Sequence, residues 1–151
     1  MSTHPMHGIY PAIPVSFKAD RSLDEADFRR YLNWIVGQGV QGLVTNGHTG
    51  EISSLTREER QRVTQIAVEE VGDRMPVYSG VSAEGTMEAM AHAQDAQAVG
   101  AQGILLMPPH QWLRFGMKPE APVSFFRDVA GAIDIDVIVH LYPAWTKAFY
   151  T

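Results

Sequence analysis

The chain of 151 residues contains no cysteine, no long apolar run and no cluster of basic residues. The absence of cysteine excludes disulfide bonds, thiolate nucleophiles and cysteine-ligated metals. No apolar segment approaches the roughly 20 residues that cross a bilayer, and the first seven residues lack the features of a signal peptide. We therefore expect a cytoplasmic protein with no membrane partner.

Acidic residues outnumber basic ones, with 17 Asp and Glu against 12 Lys and Arg, so the formal net charge is −5. This balance argues against nucleic acid as a partner. Hydrophobic residues make up 45% and charged residues 19% of the chain, as in ordinary globular domains. The length is sufficient for one domain with a substantial core.

Short apolar segments alternate with amphipathic helices along the chain. We predict strands at about 9–15, 42–45, 76–80, 103–106 and 136–140, and helices at about 24–38, 56–71, 86–99 and from 122 onward. Thr56 and Glu59 form a capping box at the start of the second helix. The fourth helix is entered through Pro122, and Val123 is expected on its inner face. His92 is expected on an exposed helix surface.

This alternation predicts a parallel α/β sheet with both faces covered by helices. Two architectures share the pattern. A doubly wound sheet fits the chain length, whereas a (β/α)₈ barrel typically needs ~250 residues. Length alone therefore favours the doubly wound sheet, and local sequence motifs must decide between the two.

The loop after the second predicted strand reads Gly47-His48-Thr49-Gly50-Glu51 and is followed by Leu55-Thr56-Arg57-Glu58-Glu59-Arg60. It resembles the signature of the dihydrodipicolinate synthase/N-acetylneuraminate lyase family, in which Gly-(Thr/Ser)-Thr-Gly-Glu precedes Leu-Thr-x-Glu-Glu-Arg. Further landmarks follow in family order: Gly8-x-x-Pro11-Ala12, Pro76-Val77-x-x-Gly80-Val81, Pro108-Pro109-His110 and Pro143-Ala144-Trp145-Thr146. The resemblance implies that residues 1–151 are the N-terminal part of a single TIM-barrel domain. This partial (β/α)₈ barrel would have four βα units plus a fifth strand, without strands 6–8.

The resemblance also implies lyase or synthase chemistry of the class I aldolase type. In this family a lysine on the sixth strand forms a Schiff base with pyruvate or another 2-oxo acid, and the imine stabilises a neighbouring carbanion as an enamine. The resemblance implies a small-molecule substrate, a homo-oligomer and no cofactor. The lysines of the sequence are Lys18, Lys118 and Lys147. None of them matches the Schiff-base position, so we expect the 151-residue chain alone to form no adduct.

The resemblance places substrate binding on Gly47, His48, Thr49 and Gly50. The loop amides and the Thr49 hydroxyl can hold a carboxylate, and the two glycines permit a tight turn with close backbone approach. Glu51 is expected to anchor the loop near the following helix. Strand ends are where barrel active sites are built.

The catalytic residues implied by the resemblance are His140, His48 and Thr49. His140 falls at the position of the family's proton-shuttle tyrosine, and His48 replaces the first Thr/Ser of the loop. The family's second tyrosine falls on Pro109 or His110. Histidine can relay protons near neutral pH, so an imidazole-rich arrangement is compatible with the reaction class.

Two other interpretations remain open. His48, His110 and His140 each follow or end a predicted strand on what would be one rim, and three imidazoles can bind Zn²⁺ or a similar ion. A metal-dependent enzyme is therefore an alternative, although the family resemblance implies no metal ligands. A non-catalytic, truncated barrel that pairs its open edge with another chain is the other alternative.

Overall fold

The computed structural model describes residues 6–143, except for the side chain of Leu113. Within this range the elements are α1 (Glu25–Val36), β1 (Leu43–Thr45), a 3₁₀ turn (Ile52–Ser54), α2 (Arg57–Val71), β2 (Val77–Val81), α3 (Thr86–Ala98), β3 (Gly103–Leu106), α4 (Gln111–Phe115), α5 (Ala121–Ala130) and β4 (Asp136–Val139). Most of the landmark Pro143-Ala144-Trp145-Thr146, and Lys147 after it, lie outside the described residues.

The four strands form one parallel sheet in the order β1-β2-β3-β4. The longer helices pack beside one another in chain order, α1 on α2, α2 on α3 and α3 on α5. A doubly wound sheet reverses its strand order at a switch point, and these four strands contain no such reversal. The expectation based on length is therefore wrong, and the partial (β/α)₈ barrel is confirmed.

The predicted first strand, residues 9–15, forms only a single parallel bridge, between Ala12 and Val44. The Ile13 amide donates to the Val44 carbonyl at 3.0 Å, and the Val44 amide donates to the Pro11 carbonyl at 2.9 Å. Pro11 and Pro14 have no N–H to donate, so the ladder cannot continue along this segment. The segment therefore lies beside β1 without becoming the regular strand that the sequence predicts.

The start of α2 is the predicted capping box. The Glu59 amide donates to Thr56 Oγ1 at 3.2 Å, and the Thr56 amide donates to Glu59 Oε2 at 2.8 Å. Helix α1 begins in a similar way, because the Asp24 carboxylate accepts a hydrogen bond from the Asp27 amide at 2.9 Å. None of the helices between residues 6 and 143 combines the length and apolarity that crossing a bilayer requires.

Two apolar clusters hold the helices against the outer face of the sheet. The first joins α1 and α2 to β1 and β2 through residues such as Phe28, Leu32 and Val63. The second joins α3 and α5 to β3, with Ile104 and Leu106 at its centre. Burying a side chain of this size contributes about 1.5–3 kcal/mol, so these clusters supply most of the stability of the sheet–helix layers.

The structure corrects two predictions about helix faces. In α5 it is Phe125 that is buried, whereas Val123 is 53% exposed, because the inner stripe runs through Pro122, Phe125 and Val129. His92 is buried rather than exposed, at 9% of its surface. Its helix is packed from two sides, by α2 and by α5, so even a polar position on α3 is covered.

Candidate functional site

The carboxyl ends of the strands bring the three predicted histidines to one rim. The ring of His48, in the loop after β1, lies with its centroid 5.7 Å from that of His110, which follows β3. The centroid of His140, directly after β4, lies 6.2 Å from that of His48. The prediction that these residues share a rim is therefore confirmed, although they are far apart in the sequence.

Asn46 anchors the loop that carries His48 through buried hydrogen bonds. The sequence analysis did not single out this residue. Asn46 is 1% exposed and has a φ of 52°, in the left-handed region that asparagine tolerates. Its side-chain amide donates to the Arg60 carbonyl at 2.8 Å and lies 2.9 Å from Thr64 Oγ1 and 3.2 Å from Ser79 Oγ. An asparagine at the end of a buried strand was the only signal for this role in the sequence.

Hydrogen bonds within the loop decide which of its groups can reach a ligand. The Gly50 amide donates to the Gly47 carbonyl at 3.0 Å, and the Glu51 amide donates to the His48 carbonyl at 3.1 Å. A Cβ on residue 50 would lie 2.9 Å from the Ile13 carbonyl oxygen, so glycine is needed there for close packing. Gly50 thus shapes the loop, and its predicted part in substrate binding stays a prediction.

A depression of about 390 Å³ opens beside this loop, on the inner face of the sheet. It is lined by Ala12, Gly47, His48, Thr49, Leu105, Met107, His140 and Tyr142. Four of the predicted site residues, Gly47, His48, Thr49 and His140, are therefore in one place. His110 lies next to His48 but outside this lining, and Gly50 is likewise absent from it.

Two of the rim histidines are biased towards the neutral form. Loss of hydration lowers the pKa of His48, and the neighbouring His110 and His140 lower it further. Burial lowers the pKa of His140 in the same direction. A neutral imidazole has one nitrogen that donates and one that accepts, as proton transfer requires.

Glu84, in the connection between β2 and α3, holds His110 in place. Its carboxylate accepts hydrogen bonds from the amides of His110, at 3.2 Å, and Gln111, at 2.8 Å. The same carboxylate lies 3.4 Å from His110 Nδ1. Nothing in the sequence pattern distinguishes Glu84 from the other surface carboxylates, so this contact could not be predicted.

The metal-dependent interpretation gains no support from this geometry. Among the residues from 6 to 143, no group of three His, Asp or Glu side chains is arranged to hold a metal ion. The close approach of the three histidine rings is also compatible with proton transfer.

Comparison with known proteins supports the similarity suggested by the loop. The family model of the dihydrodipicolinate synthetase family matches residues 5–149. The chain belongs to this family. It is 38% identical to a DapA-like lyase of Halobacterium salinarum over 93% of this chain and 45% of the relative. It is 34% identical to the 4-hydroxy-tetrahydrodipicolinate synthase of Methylobacterium radiotolerans over 91% of this chain and 45% of the relative.

Solved structures of the family have the same architecture. A crystal structure of dihydrodipicolinate synthase is 29% identical and superposes with a TM-score of 0.88, covering 95% of this chain and 48% of its own. YagE, a prophage protein of the family from E. coli K12 that was solved in complex with pyruvate, is 31% identical. It superposes with a TM-score of 0.82 over 91% of this chain and 46% of its own. The chain therefore spans about half the length of the relatives that it matches.

Proposed function

We propose that this chain supplies the carboxylate-binding and proton-transfer part of a lyase site that acts on pyruvate or another 2-oxo acid through a Schiff base. The observation that carries the proposal is the convergence of Thr49, His48 and His140 on one depression at the carboxyl ends of the strands. The pyruvate complex of YagE, which has the same fold, supports a 2-oxo acid as the ligand. The amine would come from a lysine outside the 151 residues.

The loop suits the carboxylate end of such a substrate. Thr49 is exposed and lines the depression, and its hydroxyl can donate to an anionic oxygen. Gly47 carries no side chain that would stand between the ligand and the backbone. A carboxylate bound at Thr49 would lie beside His48 and close to His140, the two residues that we propose for proton transfer.

The histidines suit the proton transfers of enamine chemistry. An enamine forms when the carbon next to the imine loses a proton, so a base must stand near that carbon. His140 is held near the depression because its amide donates to the Leu106 carbonyl at 2.9 Å. Since its pKa is lowered, the ring is neutral at pH 7 and can accept the proton, with His48 beside it as a second acceptor.

Borohydride trapping tests this proposal in a chimeric barrel. The chain is fused to the C-terminal half of the Methylobacterium radiotolerans relative, which supplies the missing strands, and is incubated with pyruvate and borohydride. Mass spectrometry should detect a covalent adduct in the chimera and none in the 151-residue chain alone. The Thr49→Val chimera should need more pyruvate for the same yield, since valine keeps the shape and loses the hydroxyl. A chimera that is folded by circular dichroism and forms no adduct would refute the proposal.

A further inference from the structure

The inner wall of the depression is apolar and uncharged. Its side chains besides Thr49 and the two imidazoles are Ala12, Leu105, Met107 and Tyr142. No Asp, Glu, Lys or Arg is among the described residues that line it. Because both lining histidines have a lowered pKa, this wall carries almost no charge near pH 7.

The alternation of the strands explains how the apolar wall arises. Ile104 and Leu106 of β3 pack outward into the second helix cluster, so Leu105 between them faces inward. Val137 of β4 also packs outward, which places Ile138 and, two residues further, His140 on the inner face. Leu105 and Ile138 are register partners. The proton-transfer histidine therefore stands above a patch of aliphatic side chains.

Met107 and Tyr142 extend this patch around the rim. Met107 is 1% exposed, and its amide is fixed by donation to the Val81 carbonyl at 2.9 Å. The Tyr142 ring packs edge-on to His140, with centroids 6.3 Å apart. Aromatic and thioether groups of this kind contact flat apolar ligands favourably.

Charged residues in the neighbouring loops are not part of the described lining of this depression. Glu51, next to the loop glycine, lines a separate depression together with Lys18 and Arg21. The Glu84 carboxylate is occupied by the amides of His110 and Gln111. None of these charged side chains is part of the described lining of the inner wall.

From this wall we infer that the site takes a 2-oxo acid whose substituent is uncharged and apolar, an aryl or alkyl group, in preference to one with a second carboxylate. The inference rests on the proposed function, because it assumes that the oxo-acid carboxylate is held at Thr49. A second carboxylate against Leu105 would lose hydration and find no cation among the described residues that line the depression. An apolar group there would leave water for a matching surface.

A matched pair of ligands tests the preference directly on the 151-residue chain. 2-Oxo-4-phenylbutanoate and 2-oxoglutarate share the oxo-acid head and two methylenes, and they differ only in phenyl against carboxylate. Titrations followed by amide and methyl NMR should show the phenyl ligand binding about tenfold more tightly or better. Shifts are expected at the Thr49 amide for both ligands, and at the Met107 methyl for the phenyl ligand.

Charge variants show whether the wall sets the preference. Leu105→Lys places a cation in the patch and should shift the preference towards 2-oxoglutarate. Ala12→Lys does the same from an exposed lining position, in case Leu105→Lys fails to fold. The control is Val123→Lys, which adds the same charge on the exposed side of α5 and should leave the preference unchanged.

The outcomes separate this inference from the proposed function. If pyruvate shifts Thr49 but the phenyl ligand binds no better than 2-oxoglutarate, the inference is wrong and the proposed function stands. The inference is equally wrong if a folded lysine variant at position 12 or 105 keeps the preference of the unmodified chain. If none of the three oxo acids shifts Thr49, both are wrong.

Discussion

Gly80 links the core of the sheet to the candidate site. It lies near the carboxyl end of β2, and a Cβ on this residue would press into the backbone carbonyl of Asn46, with the carbonyl carbon 2.6 Å away and the Gly47 nitrogen 3.1 Å away. These neighbours are main-chain atoms at the root of the loop that carries His48 and Thr49. We predict that Gly80→Ala displaces this loop and destabilises the fold.

The size of the destabilisation in Gly80→Ala follows from the atoms that the added methyl group would contact. Forcing one carbon into a packed region costs about 1–3 kcal/mol, and a rigid backbone neighbour places the cost in the upper half of that range. For a chain of this length, about 2–3 kcal/mol corresponds to a fall in the melting temperature of about 4–12 °C. The displaced loop should also lose the geometry that holds a carboxylate at Thr49.

Thermal and urea unfolding of the two proteins measure the stability, and amide NMR reports on the loop. Gly85→Ala is the matched control, since a Cβ on residue 85 meets no atom within 4 Å and its φ is −110°. The control should melt within about 2 °C of the unmodified chain. A Gly80→Ala protein with unchanged melting temperature and unchanged loop amides would refute the reasoning.

Three further substitutions probe the buried polar contacts. Thr64→Val removes a hydroxyl that lies 3.0 Å from Thr45 Oγ1 and 2.9 Å from Ser79 Oγ, and should cost about 1–3 kcal/mol in urea unfolding; a cost near zero would contradict it. Tyr78→Phe removes the donation to Asp136 Oδ2 at 3.0 Å and should cost about 1 kcal/mol. Burial and this carboxylate raise the pKa of Tyr78 to about 12, so ultraviolet titration should lose its latest-titrating phenol in the variant. Finally, His92→Gln should weaken the loss of stability that occurs as the pH falls below about 6.5, measured by urea unfolding at each pH.

The sign of the His92 effect follows from the direction of its shift. Burial first, and then the Arg60 guanidinium, lower the pKa of His92 in the fold, although the Glu88 carboxylate opposes them. The unfolded chain therefore binds more protons than the folded one below the unfolded value of about 6.5. The contribution of the neutral His92 ring to stability is therefore fully present above about pH 6.5, and it decreases as the pH falls towards the pKa of the folded state. An unchanged pH slope in His92→Gln would show that other groups cause the loss.

Sequence reasoning succeeded where a local pattern has one physical solution. The capping box at Thr56 and Glu59 was predictable because both partners lie within one helical turn. The strand order was predictable only through the loop motif, since the alternation of strands and helices fits two architectures. The prolines at 11 and 14 limit the first predicted strand to a single bridge, because neither residue has an N–H to donate.

The rest depends on contacts between distant segments. His92 is covered because two neighbouring helices pack against α3, which no pattern within α3 reveals. Asn46 supports the loop through Arg60, Thr64 and Ser79, which lie on two other elements. The proximity of His48 to His140 was predictable from the shared rim. The apolar wall below them was not predictable, because it depends on which residues of β3 point inward.

A titration of the 15N-labelled 151-residue chain with pyruvate, followed by amide NMR, tests the central claim most directly. We expect saturable shifts at Gly47, His48 and Thr49, and weaker shifts in Thr49→Val. Shifts confined to the depression of Lys18 and Arg21, with the loop amides unmoved, would contradict it, because the anion would then be bound by these cations and not at Thr49.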